Sequence, residues 1–403
     1  MSEHGPASSN LPLAGITVVD LGQVYQGPYA TLLMAKAGAD IIKVEPLEGE
    51  PARRRAGAGS TFPFAMLNSN KRAVTLNLKH VRGCELLIEM VKRADVLLEN
   101  FAPGIMDKLG VGWSVLHEIN PRLIYACGSG FGLSGPDRDI LAMDLTVQAY
   151  SGIMSINGFP DGPPVKAGAA VADFLGGAHL YAGILTALYE RTRTGKGRLV
   201  EVAMQEAVYP TLASNLGFLH SSSGDVPPRT GNRHGGLAIA PYNVYRSQDG
   251  YIALICMTET HWVNLLAAMG RDDLRNDARF LTNAARVANL DATDAVVQAW
   301  IDGRTNAEIF EATKRHRIPC APVRDLREVT HDAHMHERAM LEWIDHPDLG
   351  RIVVPGSPLR LHGTERVPTT PSPRLGQHND EIYGEWLGLS AAEIEELRRQ
   401  QVI

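Results

Sequence analysis

The chain has 403 residues, 44% hydrophobic and 21% charged, with a formal net charge of −6. That length exceeds one ordinary core, so one large domain and one smaller one are expected. The acidic balance argues against nucleic acid as the main partner, and four cysteines without a CxxC pair exclude a disulfide framework.

The opening MSEHGPASSN reads as a polar, frayed tail without the charged-then-apolar pattern of a signal peptide. No apolar run approaches the roughly 20 residues of a membrane helix, so a cytoplasmic protein is expected. GITVVDLG (15–22) reads as a buried strand. GPYATLLMAKAG follows as a helix, with Gly27 and Pro28 at its start and Gly38 at its stop. ADIIKVEP is the next strand and closes a βαβ unit. RAVTLNL (72–78), DVLLENF (95–101), PRLIYACGSGFG (121–132) and RLVEVAM supply further strands. RGCELLIEMVKRA and residues 176–195 supply helices between them. This alternation predicts an α/β fold with a large, Rossmann-like, mostly parallel domain.

HSSSGDVPPRTGNRHGG (220–236) is rich in Ser, Gly and Pro and reads as a linker. Strands in YNVYRS and YIALICM, with two or three helices, then suggest a smaller α+β domain. The expected division is 1–215, 216–325 and 326–403. RIVVPGSPLRL reads as strands, GTERVPTTPSPRLGQHND as an extended surface segment, and SAAE as the capping box of a last helix.

Most signals of familiar chemistry are missing. The first strand is followed by GQVYQGP and not by GxGxxG, and neither a Walker loop nor a GxSxG elbow occurs. GSGFGLSG (128–135) reads as tight turns, and Cys127 as core. His331 and His334 share one face if HDAHMHE (331–337) is a helix, with a solvated face as the plain reading and a zinc site as the sharper one. GNRHGG (231–236) places Arg233 and His234 in a glycine loop able to cover a site. Asp173, in GAAVADFLGG, is either the N-cap of the helix or a carboxylate held where a substrate reaches it. Gly176 and Gly177 would let a neighbouring backbone or an acyl group come close.

The chain resembles the class III CoA-transferases. The resemblance is carried in order by VVDLGQVYQGPYATLLMAKAGADIIKVEP, NSNKRAVTLNLK, DVLLENFAPGIMDKLG, NPRLIYACGSGFG, MDLTVQAYSG, GAAVADFLGGAHLYAGILTALYERTRTGKG, VEVAMQEAV, RIPCAPV and LGQHNDEIYGEWLGLS. It implies that Asp173 is the nucleophile. It implies coenzyme A contacts at Tyr25 and Gln26, at Leu76, Asn77 and Lys79, at Asn100, Phe101 and Ala102, and at Lys108. It also implies that Leu141, Ala142, Met143 and Asp144 line the thioester end. Arg233, His234, Gly235 and Gly236 stand roughly where the family has a glycine loop. Formyl-CoA transferase has a coenzyme A-contacting Arg where this chain has Pro46, and Arg53, Arg54 or Arg55 are candidates to supply that charge. The related racemases have an acid/base His where this chain has Met143. The resemblance implies no metal and an interlocked homodimer.

Thioester exchange needs a nucleophile whose acyl intermediates stay activated. A serine ester would be a sink, whereas a carboxylate forms an anhydride and then a thioester. The expected partners are therefore an acyl-CoA and a carboxylic acid, with a dicarboxylate such as succinate suggested by Arg233 and His234. An acyl-CoA racemase or lyase, and a non-catalytic coenzyme A-binding protein, stay open as alternatives.

Overall fold

The computed structural model describes residues 10–55, 60–221 and 229–403. The opening tail through residue 9 and residues 222–228 of the expected linker lie outside the described residues. Two units divide the chain. The first comprises Met1–Val147, Ala169–Val208 and Asp332–Ile403; the second comprises Gln148–Gly168 and Tyr209–His331. The expected boundary at 215 thus falls at Val208, and an early excursion, 148–168, joins the second unit.

Strands β1 (Thr17–Asp20), β2 (Asp40–Glu45), β3 (Arg72–Thr75), β4 (Val96–Glu99), β5 (Ile124–Ser129) and β6 (Leu199–Ala203) form one parallel sheet. Their order is β3-β2-β1-β4-β5-β6. Helices α1 (Gln26–Lys36), α2 (Val81–Val91), α3 (Asp144–Tyr150) and α4 (Val171–Thr194) accompany it. Nearly every residue of β1 to β5 is buried, as helices on both faces require. Successive side chains separate into two cores. Val18 and Leu98 pack with Met34 of α1 and with Leu180 and Ile184 of α4. Val19 and Leu97 pack on the other face with Leu86 and Leu87 of α2. The strand order reverses between β1 and β4. In such sheets that switch point opens a crevice beyond the strand C-termini, which is where ligands bind.

The second unit has an antiparallel sheet, β7 (Tyr242–Arg246), β8 (Tyr251–Ile255) and β9 (Cys320–Pro322). Helices α5 (Glu259–Met269), α6 (Leu290–Ile301) and α7 (Asn306–Arg315) cover it through Trp262, Leu265, Val297 and Ile309. The chain returns to the first unit with the hairpin β10 (Leu341–His346) and β11 (Gly350–Pro355). The proline-rich segment beyond it has no regular structure and is tied down by Asn70, which donates to Pro368 O, and by Arg53, which donates to Pro373 O. Ser390 and Glu393 form the expected capping box.

Three expectations are corrected. The helix start expected at Gly27 and Pro28 lies at Gln26, with Tyr25 as N-cap. His331 and His334 do not share a helix: His331 ends the helix Leu326–Thr330, and His334 lies on Ala333–Glu337. Among the described residues no group of three His, Cys, Asp or Glu side chains is placed to hold a metal ion. Finally, α4 is by length and hydropathy apolar enough to cross a membrane. Its alanines and leucines raise its mean hydropathy, and Leu180, Ile184 and Leu188 belong to the core on the sheet.

Candidate active site

The loop after β1 is held at successive peptide groups by buried and half-buried side chains. Gly22 N–H donates to Asp20 Oδ1 at 2.8 Å, and Lys43 Nζ donates to Gly22 O. Gln23 N–H donates to Asn100 Oδ1 at 2.7 Å, and Asn100 Nδ2 donates back to Gln23 O at 3.0 Å. Val24 N–H donates to Glu50 Oε2 at 3.2 Å. Val24 has φ +62°, a costly conformation for a β-branched residue. Such strain persists where the surroundings over-determine it, and here they do. Asn100 follows β4, so its two bonds bridge the switch point.

The loop delivers Gln26 into α1, which lies against α4. The Gln26 side chain is 2% exposed and sits in a slot left by missing Cβ atoms. A Cβ on Gly128 would lie 2.7 Å from Gln26 Oε1, and one on Gly176 would lie 2.8 Å from Gln26 Nε2. A Cβ on Gly177 would lie 2.6 Å from Gln26 O. Gly177→Ala should therefore destabilise, although Ala exceeds Gly in helix propensity by about 1 kcal/mol. Overpacking against backbone is expected to cost about 1–3 kcal/mol net, read by urea denaturation.

Asp173 is the third residue of α4 and not its N-cap. That place belongs to Ala170, which has no side chain able to cap. Asp173 is 9% exposed. Burial raises its carboxyl from the ordinary 3.8 to about 7; Asp144 adds to the rise and Arg55 opposes it. Ala172 and Asp173 donate their N–H groups to Asp144 Oδ1 at 2.9 and 3.3 Å. The Phe174 ring stacks on Tyr25 at 6.0 Å and meets Tyr29 at a tilt of 60° and 4.8 Å, centroid to centroid. The Arg55 guanidinium lies 5.9 Å from the Tyr25 ring. Tyr25, Arg55, Asp144 and Asp173 thus come together near the switch point.

The other expected residues divide. Lys79, Lys108, Arg54 and Arg55 are exposed, as phosphate contacts would need. Arg53 is not available for that role, because it is buried in a two-bond pair with Glu45 at 2.8 and 2.9 Å. Leu76 is 2% exposed and belongs to the core. Asn77 binds the C-terminal segment: its N–H donates to Val402 O and its Nδ2 to Gln401 O. Phe101 N–H donates to Glu99 Oε2, and Ala102 lines a cavity of about 260 Å³ with Glu99, Asp107, Trp113 and Tyr125. Leu141 and Met143 are exposed, and Ala142 lies where a Cβ on Gly130 would be, which is why GSGFG needs glycine there.

Arg233, His234, Gly235 and Gly236 belong to the second unit. The Arg233 guanidinium is engaged by Asp291 at 2.6 Å and Asp294 at 2.7 Å. His234 Nδ1 accepts from Gly236 and Ala238 N–H. Asn215 Nδ2 donates to Gly235 O at 3.2 Å. The expected clamp on a substrate carboxylate is corrected accordingly: Arg233 already carries two carboxylates.

Sequence reading missed Lys43, Lys71 and Glu50. Lys43 had a signal, a charge inside the apolar run IIKV of β2, whereas Lys71 in NSNKR and Glu50 in LEGE had none.

The sheet order, the switch-point loop and the glycine slot define a parallel α/β protein with a crevice for a ligand beyond the strand C-termini. The profile of CoA-transferase family III matches residues 13–379, and the chain belongs to that family. It is 38% identical to a formyl-CoA:oxalate CoA-transferase of Streptomyces avermitilis, over 97% of this chain and 99% of that one. It is 34% identical to the succinyl-CoA–L-malate CoA-transferase beta subunit of Chloroflexus aurantiacus, over 98% and 99%. A CAIB/BAIF family protein from Brucella suis superposes with a TM-score of 0.81 at 33% identity, covering 93% of this chain and 99% of that one. The protein is thus a transferase whose substrates are CoA thioesters.

Proposed function

We propose that the protein moves coenzyme A from an acyl-CoA to a free dicarboxylic acid, with Asp173 as the covalent carrier. The observation that carries this is the Asp173 carboxyl at the first turn of α4, enclosed yet still 9% exposed, beside the strained loop of the switch point. Asp173 Oδ attacks the acyl carbonyl, the C–S bond breaks, and coenzyme A leaves as thiolate. The thiolate attacks the aspartyl carbonyl of the mixed anhydride, and the donor acid leaves as carboxylate. The acceptor carboxylate attacks the aspartyl thioester, expelling thiolate again. The thiolate then attacks the acceptor's acyl carbonyl, and the Asp173 carboxylate is restored. No step needs a proton, so the reactive form is the ionised one.

The helix N-terminus favours a carboxylate at Asp173, while burial and Asp144 disfavour one. A carboxylate whose proton affinity is raised in this way is the stronger nucleophile once ionised. Backbone N–H groups at Tyr25 and Gln26 are the candidate donors to the tetrahedral oxyanions. Lys79, Lys108 and Arg54 suit the coenzyme A phosphates. The acceptors in the names of relatives, oxalate and L-malate, are dicarboxylic acids. Arg55, exposed over Tyr25 and close enough to influence Asp173, suits the second carboxylate. The racemase alternative lacks support at Met143, an exposed thioether with no proton to move.

A homodimer in the cytoplasm completes the reading. Ile140, Leu141, Met143 and Leu145 leave an apolar stripe in solvent, which a second copy would cover.

The test incubates the protein with succinyl-CoA, formyl-CoA or acetyl-CoA and adds hydroxylamine. The expected result is a hydroxamate at Asp173, mapped by mass spectrometry, and transfer to oxalate, malate or succinate. A label elsewhere, or α-proton exchange without an acceptor, would overturn it.

A further inference from the structure

The first turn of an α-helix leaves N–H groups that need partners. In α4 the local sequence AAVADF offers no capping side chain, since Ala170 stands at the N-cap. Val171 N–H finds Ala169 O, and Phe174 N–H finds Ala170 O. The two between them, Ala172 and Asp173, both donate to Asp144 Oδ1. A carboxylate 28 residues upstream therefore does the work of an N-cap. It does so at the residue read above as the nucleophile.

Asp144 is itself held in place. Thr146 Oγ1 accepts from Met143 N–H at 2.9 Å and donates to Met143 O at 2.9 Å, closing the turn that carries Asp144. Ala142, two residues earlier, rests on Gly130 beyond β5. Between Asp144 and Ala172 the chain runs out through residues 148–168 of the second unit and back. The cap thus joins the two ends of that excursion within the first unit.

We infer that Asp144 is the positioning residue of the nucleophile: its one oxygen fixes the first turn of α4, and its charge faces the Asp173 carboxyl. This rests on the reading of Asp173 as the covalent carrier. The charged groups facing Asp173 among the described residues are Asp144 and Arg55, with the rings of Tyr25 and Tyr29 against Phe174. Asp144 supports the raised Asp173 carboxyl from one side, and Arg55 opposes it from the other. Burial does most to raise the carboxyl and Asp144 adds to it, yet Asp173 stays 9% exposed and within reach of substrate.

Two variants separate the roles. Asp144→Asn keeps an oxygen acceptor for both N–H groups and removes the charge. Asp144→Ala removes both. In Asp144→Asn the acid limb of kcat/KM should move down by about one pH unit or more, a tenfold gain at the low-pH side relative to its own plateau. In Asp144→Ala, kcat should fall about a hundredfold with donor KM little changed, because a nucleophile displaced by about 1 Å costs that much. An unmoved acid limb in Asp144→Asn overturns the electrostatic role. Wild-type kcat in Asp144→Ala overturns the positioning role. Should Asp144→Ala fail to fold, Asp144→Glu, which keeps the charge and moves the acceptor, tests the positioning role by the same fall in kcat, and wild-type kcat there overturns it.

A readout without turnover keeps this apart from the functional reading. The change in melting temperature caused by Asp173→Asn is followed against pH twice, once in the wild-type background and once in the D144N background. A smaller pH dependence in the D144N background supports the coupling, and an equal one overturns it. If hydroxylamine fails to label Asp173, the carrier reading falls while this coupling is still decided by the melting data.

Discussion

Asp173→Asn is expected to abolish CoA exchange, by at least about 10³-fold in kcat, and at the same time to stabilise the folded protein at neutral pH. An amide cannot form the anhydride, so no slower covalent route replaces it. The gain in stability follows from the same burial. The Asp173 carboxyl is raised from 3.8 to about 7, by burial first and Asp144 second, with Arg55 opposing. Between those two values the native state binds more protons than the unfolded one, so stability falls as pH rises through that window. Below about 4 both states are protonated and the cost vanishes; above about 7 it is complete. A neutral side chain of the same shape avoids it, which is worth on the order of 2–4 kcal/mol at pH 8. Urea denaturation at pH 5 and pH 8, with exchange measured in parallel, checks both halves. A variant that retains exchange rejects the carrier. One that loses exchange but gains nothing at pH 8 would mean that the carboxylate is fully compensated in the fold.

The same residue marks how far the sequence could be read. The six parallel strands were legible because each is a short apolar run between turn residues, and the helices between them have apolar residues at helical spacing. The end of α4 was legible too, at a glycine with φ +70°. Its beginning was not. A helix expected from 176 starts at Val171, because its cap comes from Asp144, far away in sequence and invisible to a local rule. The same absence made Asp173 look like the cap. Glycines 128, 130, 176 and 177 read as turn residues or close approaches without partners; the structure supplies Gln26 and Ala142 as what approaches. Arg233 read as free because Asp291 and Asp294 lie some 60 positions on, and an ion pair of that separation leaves no pattern in a single sequence. The family resemblance pointed to Asp173, whereas the geometry explains how the helix turn that carries it is held.

Lys71→Met should be among the most damaging single changes in the first unit. Lys71 Nζ donates to Asp20 Oδ2 at 3.0 Å, Thr31 Oγ1 at 2.8 Å, Asn68 Oδ1 at 3.0 Å and Pro28 O at 3.1 Å. Neither side chain of the Asp20–Lys71 pair is exposed. Burial pushes the Asp20 carboxyl up, and Lys71 and Lys43 more than offset it, leaving it below its ordinary value. Burial draws Lys71 down to about 8 against the pull of Asp20, so both are charged at pH 7. Methionine fills the space of the stem and leaves a buried carboxylate short of one partner. Removing one member of such a pair costs about 3–5 kcal/mol. The damage reaches the site because Asp20 Oδ1 also holds Gly22 N–H, the first tie of the strained loop. The double variant Asp20→Asn with Lys71→Met removes the stranded charge and keeps an acceptor for Gly22 N–H, while its Nδ2 takes the place of Oδ2 and donates to the Thr31 hydroxyl instead of accepting from it. It should recover about 2 kcal/mol or more over Lys71→Met alone, since contacting pairs couple at that scale. Urea denaturation of the two single variants and the double gives the coupling directly, and exchange assays on the folded fraction report whether the loop has moved. If Lys71→Met unfolds with less than about 1 kcal/mol lost, the pair is no more than a screened surface contact in energy, and the loop is fixed mainly by Lys43, Asn100 and Glu50.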